Sequence, residues 1–319
     1  VDATGAGDQF AAGFLYGLAS GQTLATAGRM GCVAAAEVIS HFGARPETRR
    51  CYESALEALS SLGDTKERRR LRGQVLLNLL LITGGSEAPA ESLGRLAEAE
   101  RLLSFAGAGI AEEEATALER GMIHAHRARI HFIAARYAAS AQSARAALAA
   151  GEELRRSDLR ALASLMLGYA RGWAGWAPEG EAHLAEGKRL FAELSNYDLW
   201  NRAQASYGAM LALQGRIEAG LSELRQAEER ARAIGYPVLL LFVHAPRALI
   251  HCFAGDWPAA EAAAAEAALL EERTGIRNTR IFGLFARASA ALGLGRPAEA
   301  ELHLERADEE MEALGGRLN

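Results

Sequence analysis

From residue 121 onward the chain repeats itself every 40 residues, and a period of that length restricts the fold to stacked, near-identical units. A small residue recurs at Ala128, Gly168, Gly208, Ala248 and Ala288. Seven residues after each of these comes Ala135, Gly175, Gly215, Gly255 and Gly295. Two further on stand Tyr137, Ile217, Trp257 and Pro297, with Trp176 one place early. Another small position follows at Ala147, Gly187, Ala227, Ala267 and Ala307. Five matches in register are hard to obtain by chance, even in a chain rich in alanine.

This spacing has a physical meaning. A small residue in the middle of a helix lets a neighbouring helix approach closely, ridge into groove. The second position marks the turn between two helices, and the last small position lets the second helix lie against the next repeat. Each repeat then reads as an antiparallel pair with roughly 18 residues per helix, and such pairs must stack to bury their faces. Composition agrees: half of the residues are apolar, alanine and leucine dominate, and only 7 of 319 are proline. The expected architecture is all-α.

This layout resembles the tetratricopeptide repeat, with helices longer than its usual ~34-residue unit allows. Long repeats of this kind are similar to those in the regulatory arms of bacterial signal-transduction ATPases of the maltose-regulator and adenylate-cyclase-linked types. The resemblance covers 121–319 as five 40-residue repeats and 48–120 more loosely, as irregular helical hairpins. It implies a superhelix whose concave face is lined by the first helix of each pair. Tyr169, Trp173, Phe242, Phe253 and Phe282 fall at phases compatible with that face. One reading makes them a groove for a protein, a peptide or a small effector; the other makes them filling for the core between helices.

Between the repeats and the amino terminus, 48–63 and 64–83 read as a helical pair and 88–105 as a further helix, with glycine-rich loops at Gly84–Ser86 and Gly107–Gly109. The run Lys66 to Arg72 is expected to form a solvated basic face. Glu112 to Glu114 are expected to open a helix in solvent, favoured by its dipole. His124, His126 and His131 cluster in sequence, but 124 and 126 point to different sides of a helix, so no metal site is expected.

The first residues follow a different logic. Gly5, Ala6 and Gly7 lie just before an apolar helical pattern (Phe10, Phe14, Leu15, Leu18) that stops at Gly21. Thr23 can cap a second helix running to about His41, closed by Gly43 and Pro46. Small residues before a helix let backbone N–H groups converge on an anion, and Asp8 stands beside that cradle. A carboxylate there can take a proton from an attacking hydroxyl while the amides stabilise charge on a transferred group.

The strings Asp2-Ala-Thr-Gly-Ala-Gly-Asp8, Phe10-Ala-Ala-Gly-Phe14, Ala34-Ala-Ala36 and Gly43-Ala-Arg-Pro46 occur in order. Together they resemble the carboxy-terminal part of ribokinase-like (PfkB) carbohydrate kinases, adenosine-kinase-like branch, over residues 1–47. The resemblance implies phosphorylation of a sugar or nucleoside hydroxyl, with ATP and Mg as cofactors of a complete kinase domain. It casts Asp8 as catalytic base, Gly5, Ala6 and Gly7 as the anion hole, and Asp2 and Thr4 as monovalent-cation positions. Cys32 falls beside the nucleotide, where some members carry Asn or His. Most of that family's α/β sheet, substrate pocket and lid would precede Val1, so no turnover is expected from this chain alone.

A net charge of −5 argues against nucleic acid or an anionic membrane as the main partner. Cys32, Cys51 and Cys252 form no CxxC pair, which fits reduced thiols in a cytoplasmic protein. The longest apolar run, Pro237 to Ala245, is shorter than the ~20 residues a membrane helix needs. The leading expectation is a tetratricopeptide-like solenoid scaffold that binds a protein or senses an effector and carries two helices of a truncated kinase domain. The competing one is a piece of a PfkB-type kinase.

Overall fold

The computed structural model describes residues 6–40, 45–62, 64–83, 87–104, 110–235, 237–276 and 279–313. Among them the chain forms fifteen α-helices and no strand. The expectation of an all-α, tetratricopeptide-like helical-hairpin protein holds. Two compact units divide the chain, residues 1–126 and 127–319.

The first unit opens with α1 (Ala6–Ala19) and α2 (Leu24–Ser40). Gly21 ends α1 with φ 73°, and the Thr26 N–H donates to Thr23 Oγ1 at 3.2 Å, so the stop and the cap lie where the residues place them. Pro46 does not close a helix: it sits in the first turn of α3 (Arg45–Ser61), where its missing N–H costs nothing. Gly43 lies outside the described residues. Helices α4 (Lys66–Thr83) and α5 (Pro89–Leu103) follow. Helix α1 shares a core with α3 and α4: Ala12, Leu15 and Ala19 pack on Tyr52, Ala55, Leu59, Val75 and Leu79. Phe10, which the apolar pattern would bury, stays 38% exposed, its ring stacked on Phe14 at 6.0 Å. The basic run of α4 is not a solvated face. The Arg70 and Gln74 side chains both donate to Glu119 Oε1, at 2.9 and 2.8 Å, and Arg72 pairs with Glu98 at 3.2 Å. Glu119 belongs to α6 (Ile110–Ile133), whose first turns contain the Glu112–Glu114 run.

In the second unit the helices are α7 (Tyr137–Glu153), α8 (Ser157–Trp173), α9 (Ala177–Glu193), α10 (Tyr197–Leu213), α11 (Ile217–Ile234), α12 (Pro237–Ala254), α13 (Trp257–Thr274), α14 (Arg280–Gly293) and α15 (Pro297–Ala313). Their turns reveal a half-period. Ala135, Arg155, Gly175, Ser195, Gly215, Gly235, Gly255, Gly275 and Gly295 all adopt positive φ, from 53° to 93°, at intervals of 20 residues. Each ends a helix in the left-handed conformation; at Gly215, for example, the next N–H, of Arg216, reaches back to Leu211 O at 3.0 Å.

Within each hairpin the two helices meet at small residues. A Cβ on Gly220 would lie 2.5 Å from Gly208 O, and one on Gly208 would lie 2.8 Å from Gly220 O. Gly168 faces Gly180 in the same way, and in the first hairpin Ser140 fills the gap and donates its hydroxyl to Ala128 O at 2.7 Å. The partner positions Ser140, Gly180, Gly220, Ala260 and Ala300 are thus a further buried small set. In the set at Ala147, Gly187, Ala227, Ala267 and Ala307, Ala227 shares one core with Ala205 of its own hairpin and with Val243 and Ile250 of the next repeat. Gly187 lies over Ala161 and Leu165 of its own hairpin, and Asn201 Nδ2 donates to Ala227 O at 2.7 Å, again within one hairpin.

Consecutive first helices pack on one another, α8 on α10, α10 on α12 and α12 on α14, and form the inner layer; α7, α9, α11, α13 and α15 form the outer one. The main core joins Ala161, Leu165, Leu184, Phe191, Ala203 and Met210. Helix α12 continues through Pro246, so its 18 residues, with mean hydropathy 1.5, are long and apolar enough to cross a membrane by length and composition. The expectation that this segment is too short stopped at Ala245. Here α12 packs against α10, α11, α13 and α14.

Candidate binding groove

The inner helices present one face to each other's neighbours, and its aromatics are connected. Phe132, in the last turn of α6, stacks on Tyr169 of α8 with ring centroids 5.2 Å apart, and touches Tyr137 at 5.8 Å. Burial pushes the Tyr169 phenol up, against a hydrogen bond with Ser206 and the Arg202 charge that draw it down. Arg202 of α10 donates from Nε to Asp198 Oδ1 at 3.1 Å, and its guanidinium lies 4.2 Å from the centre of the Phe242 ring on α12. Trp173, at the end of α8, meets Phe282, near the start of α14, at 4.8 Å and 34°.

This last contact carries geometric information. Between α8 and α14 lie α10 and α12, that is, three packing steps. At ~8–10 Å per step, a straight stack would separate the two axes by about 24–30 Å, beyond the reach of two side chains. The stack therefore curves toward its inner helices, and the aromatic face is concave. Four of the five predicted groove residues (Tyr169, Trp173, Phe242, Phe282) are half-buried along it; Tyr169 and Trp173 pack against the main core, and Phe242 packs against the core shared by α12 and α13. Phe253 stands apart, 50% exposed at the end of α12. It shares that exposed edge with Leu213 and Leu292, at the ends of their own inner helices, and with Trp176.

Sequence reasoning missed Phe132, Tyr137 and Arg202. A signal existed for the last: Arg202, Phe242 and Phe282 occupy one phase of the 40-residue period. A cavity was also missed. A cleft of ≈300 Å³ is floored by Gly283 and Leu284 of α14 and walled by Ala264, Ala268 and Glu271 of α13 and by Arg306 and Glu310 of α15. Ala264 lines it at the repeat position where α9 and α11 carry Leu184 and Leu224 and α7 carries Ala144. Glu271 is buried there; it accepts from the Thr279 hydroxyl at 2.7 Å, and burial pushes its carboxyl up to about 7. Across the cleft Arg280 pairs with Glu310 at 2.9 Å.

At the other end of the chain, Asp2, Thr4 and Gly5 lie outside the described residues, and so do the side chains of Ala6 and Asp8. Helix α1 begins at Ala6, so Ala6, Gly7 and Asp8 belong to its first turn, whose N–H groups lack intrahelical partners. Cys32 is exposed on α2.

Fold and face together define an all-α, tetratricopeptide-like helical-repeat protein with a kinase-like amino-terminal segment. The family described as pfkB family carbohydrate kinase matches residues 1–50. An uncharacterized sugar kinase of Archaeoglobus fulgidus is 53% identical over 45 residues, which is 14% of this chain and 18% of that relative. The chain thus spans less than a fifth of the curated relative it matches. Among solved structures, a Rap protein complexed with Competence and Sporulation Factor is similar with TM-score 0.65 at 14% identity, covering 84% of this chain and 70% of that one. NprR in complex with its cognate peptide NprX gives 0.62 at 11%, covering 83% and 73%. Aspartyl phosphate phosphatase F from Bacillus subtilis gives 0.61 at 12%, covering 86% and 68%. Identities this low establish likeness of fold.

Proposed function

We propose that the chain is a peptide-binding or effector-sensing helical-repeat receptor that takes an extended ligand along its concave inner face. The carrying observation is the connected row of half-buried aromatics and one guanidinium, Phe132, Tyr169, Arg202 with Phe242, and Trp173 with Phe282, along five successive inner helices. Such rings supply large contact area at little entropic cost, and a guanidinium among them can orient a polar backbone or a carboxylate. Two of the similar folds were solved with a factor or a peptide bound, which supports a protein or peptide ligand for this fold. The test pans a displayed library of random dodecapeptides on the full chain. Enriched peptides should lose affinity on Tyr169→Ala combined with Phe242→Ala and keep it on Leu302→Ala, on the outer helix α15. Peptides indifferent to the inner-face pair would end the proposal.

The match at residues 1–50 favours a second reading for that segment alone, a corner of an ATP-dependent sugar kinase with Asp8 as base and Gly5, Ala6 and Gly7 as anion hole. As an isolated corner it should not turn over ATP: no ADP release is expected from this chain over a panel of sugars and nucleosides, and release that Asp8→Asn abolishes would overturn that expectation.

A further inference from the structure

We infer that Phe282 rests on Trp173 as the chain's own stand-in for an aromatic side chain of the ligand, so that a peptide carrying such a side chain binds by displacing it. This rests on the reading of the inner face as a peptide groove. Trp173 is the fixed partner: it packs against the main core that holds Ala161, Leu165 and Met210, and it follows Gly172, over which Met210 lies. Phe282 comes to it from α14, across two intervening helices, with no sequence neighbour of Trp173 in between. The contact therefore joins the two flanks of the concave face and closes the space between them.

An indole face that accepts a phenyl ring at 4.8 Å and a 34° tilt shows what fits there: a flat, neutral, aromatic group of the same size. A ligand aromatic residue stacks on Trp173 only after Phe282 leaves, so the intramolecular pair competes directly with binding. Its neighbours complete the seat. Arg202, held by Asp198, covers Phe242, and Tyr169 lies one turn before Trp173 on α8. The ligand thus meets one open indole, one phenol and one guanidinium, and its specificity rests on a single aromatic anchor.

The competing contact predicts a size of effect. An aromatic pair contributes enough to hold the closed form at roughly a two- to twelve-fold excess, and apparent affinity falls by the same factor. The experiment uses the full chain, Phe282→Ala, Phe282→Leu and Trp173→Ala, each first checked for an unchanged helical circular-dichroism spectrum and melting curve. The probes are peptides enriched from the random dodecapeptide library, resynthesised with their aromatic residue and with leucine in its place, and measured by fluorescence anisotropy. Enriched sequences should share one aromatic position, and Phe282→Ala should bind them roughly two- to twelve-fold more tightly. Phe282→Leu, which keeps apolar bulk but not the ring, should gain less, and it replaces the alanine variant should that one fail to fold. In Trp173→Ala the aromatic and leucine peptides should bind alike. Peptides that bind but gain nothing from either Phe282 change, or that carry no shared aromatic residue, overturn this inference and leave the groove reading standing. A library that yields no binder on any form removes both.

Discussion

Glu271 offers the sharpest quantitative test of the packing in the last two hairpins. Its carboxyl is buried between α13 and α14 and bonded to Thr279, with Arg280, Arg287 and Glu310 nearby. Burial disfavours the charged form more than the arginines favour it, and the carboxyl rises from its ordinary value of 4.5 to about 7. A gap of that size corresponds to roughly 2–3 kcal/mol of pH-dependent stability, allowing for screening by water in the cleft. The sign follows from the raised folded value. Below about 4.5 both folded and unfolded chains hold the proton and its full stabilisation is present; as pH rises through about 7 that contribution is lost. A glutamine side chain in its place cannot ionise, yet its amide oxygen can still accept from the Thr279 hydroxyl. Urea unfolding of wild type and Glu271→Gln, followed by far-ultraviolet circular dichroism at constant ionic strength, isolates this group because all others cancel in the difference. The two should coincide near pH 4, diverge through pH 5–6, and differ by roughly 2–3 kcal/mol in favour of glutamine at pH 8.5. Equal stability at pH 8.5, or a difference confined to acid, would refute the account of a carboxyl held neutral by burial.

Three further outcomes follow from the repeat geometry. Gly220→Ala places a methyl against the Gly208 carbonyl, which cannot move aside, and should cost about 1–3 kcal/mol in denaturant unfolding, whereas Gly94→Ala, on an exposed face of α5 with nothing within 4 Å, should gain up to about 1 kcal/mol. Ser195→Gly relieves a left-handed φ of 53° and should raise the melting temperature by an amount matching ~1 kcal/mol; an unchanged or lowered melting point would contradict the strain argument. Tyr52→Ala removes a 1% exposed ring from the core that α1 shares with α3 and α4 and should cost about 3–5 kcal/mol in that unit, with faster proteolytic cleavage inside residues 6–40; cleavage at the wild-type rate would mean that α1 docks without it.

What could be read from the residues was steric. A glycine recurring at 168 and 208 signals that something approaches too closely for a side chain, and the approach is there. The same signal carries no direction, so it did not say that Gly187 lies over Ala161 and Leu165 of its own hairpin while Ala227 also shares a core with Val243 and Ile250 of the next. The half-period of 20 stayed hidden because Ala135, Arg155 and Ser195 adopt the left-handed turn without being glycine. Arg202 sits in phase with Phe242 and Phe282, but a guanidinium does not look like part of an aromatic row until its ring partner is known. The Trp173–Phe282 contact depends on curvature summed over three helix steps, a property that no single spacing contains. The cleft beside Glu271 is lined by small residues, Ala264, Ala268 and Gly283, and an alanine in an alanine-rich helix draws no attention.

In the amino-terminal hairpin, sequence resemblance and packing are separate matters. Residues 1–50 match a carbohydrate-kinase family, whose sequence pattern points at phosphate chemistry, yet α1 buries Ala12, Leu15 and Ala19 in a core built by α3 and α4. The reason is generic. An amphipathic helix with small residues on one face can lie against a sheet or against a helix pair, because both accept close approach and neither demands a particular side chain. A Cβ on Gly31 would lie 2.7 Å from Phe10 O, so α1 and α2 already pair as tightly as the hairpins of the second unit do. The hairpin therefore meets the packing requirement of a helical stack whatever its motif encodes, and the motif's chemistry and the hairpin's structural part can be altered separately: Asp8→Asn addresses the first and Tyr52→Ala the second.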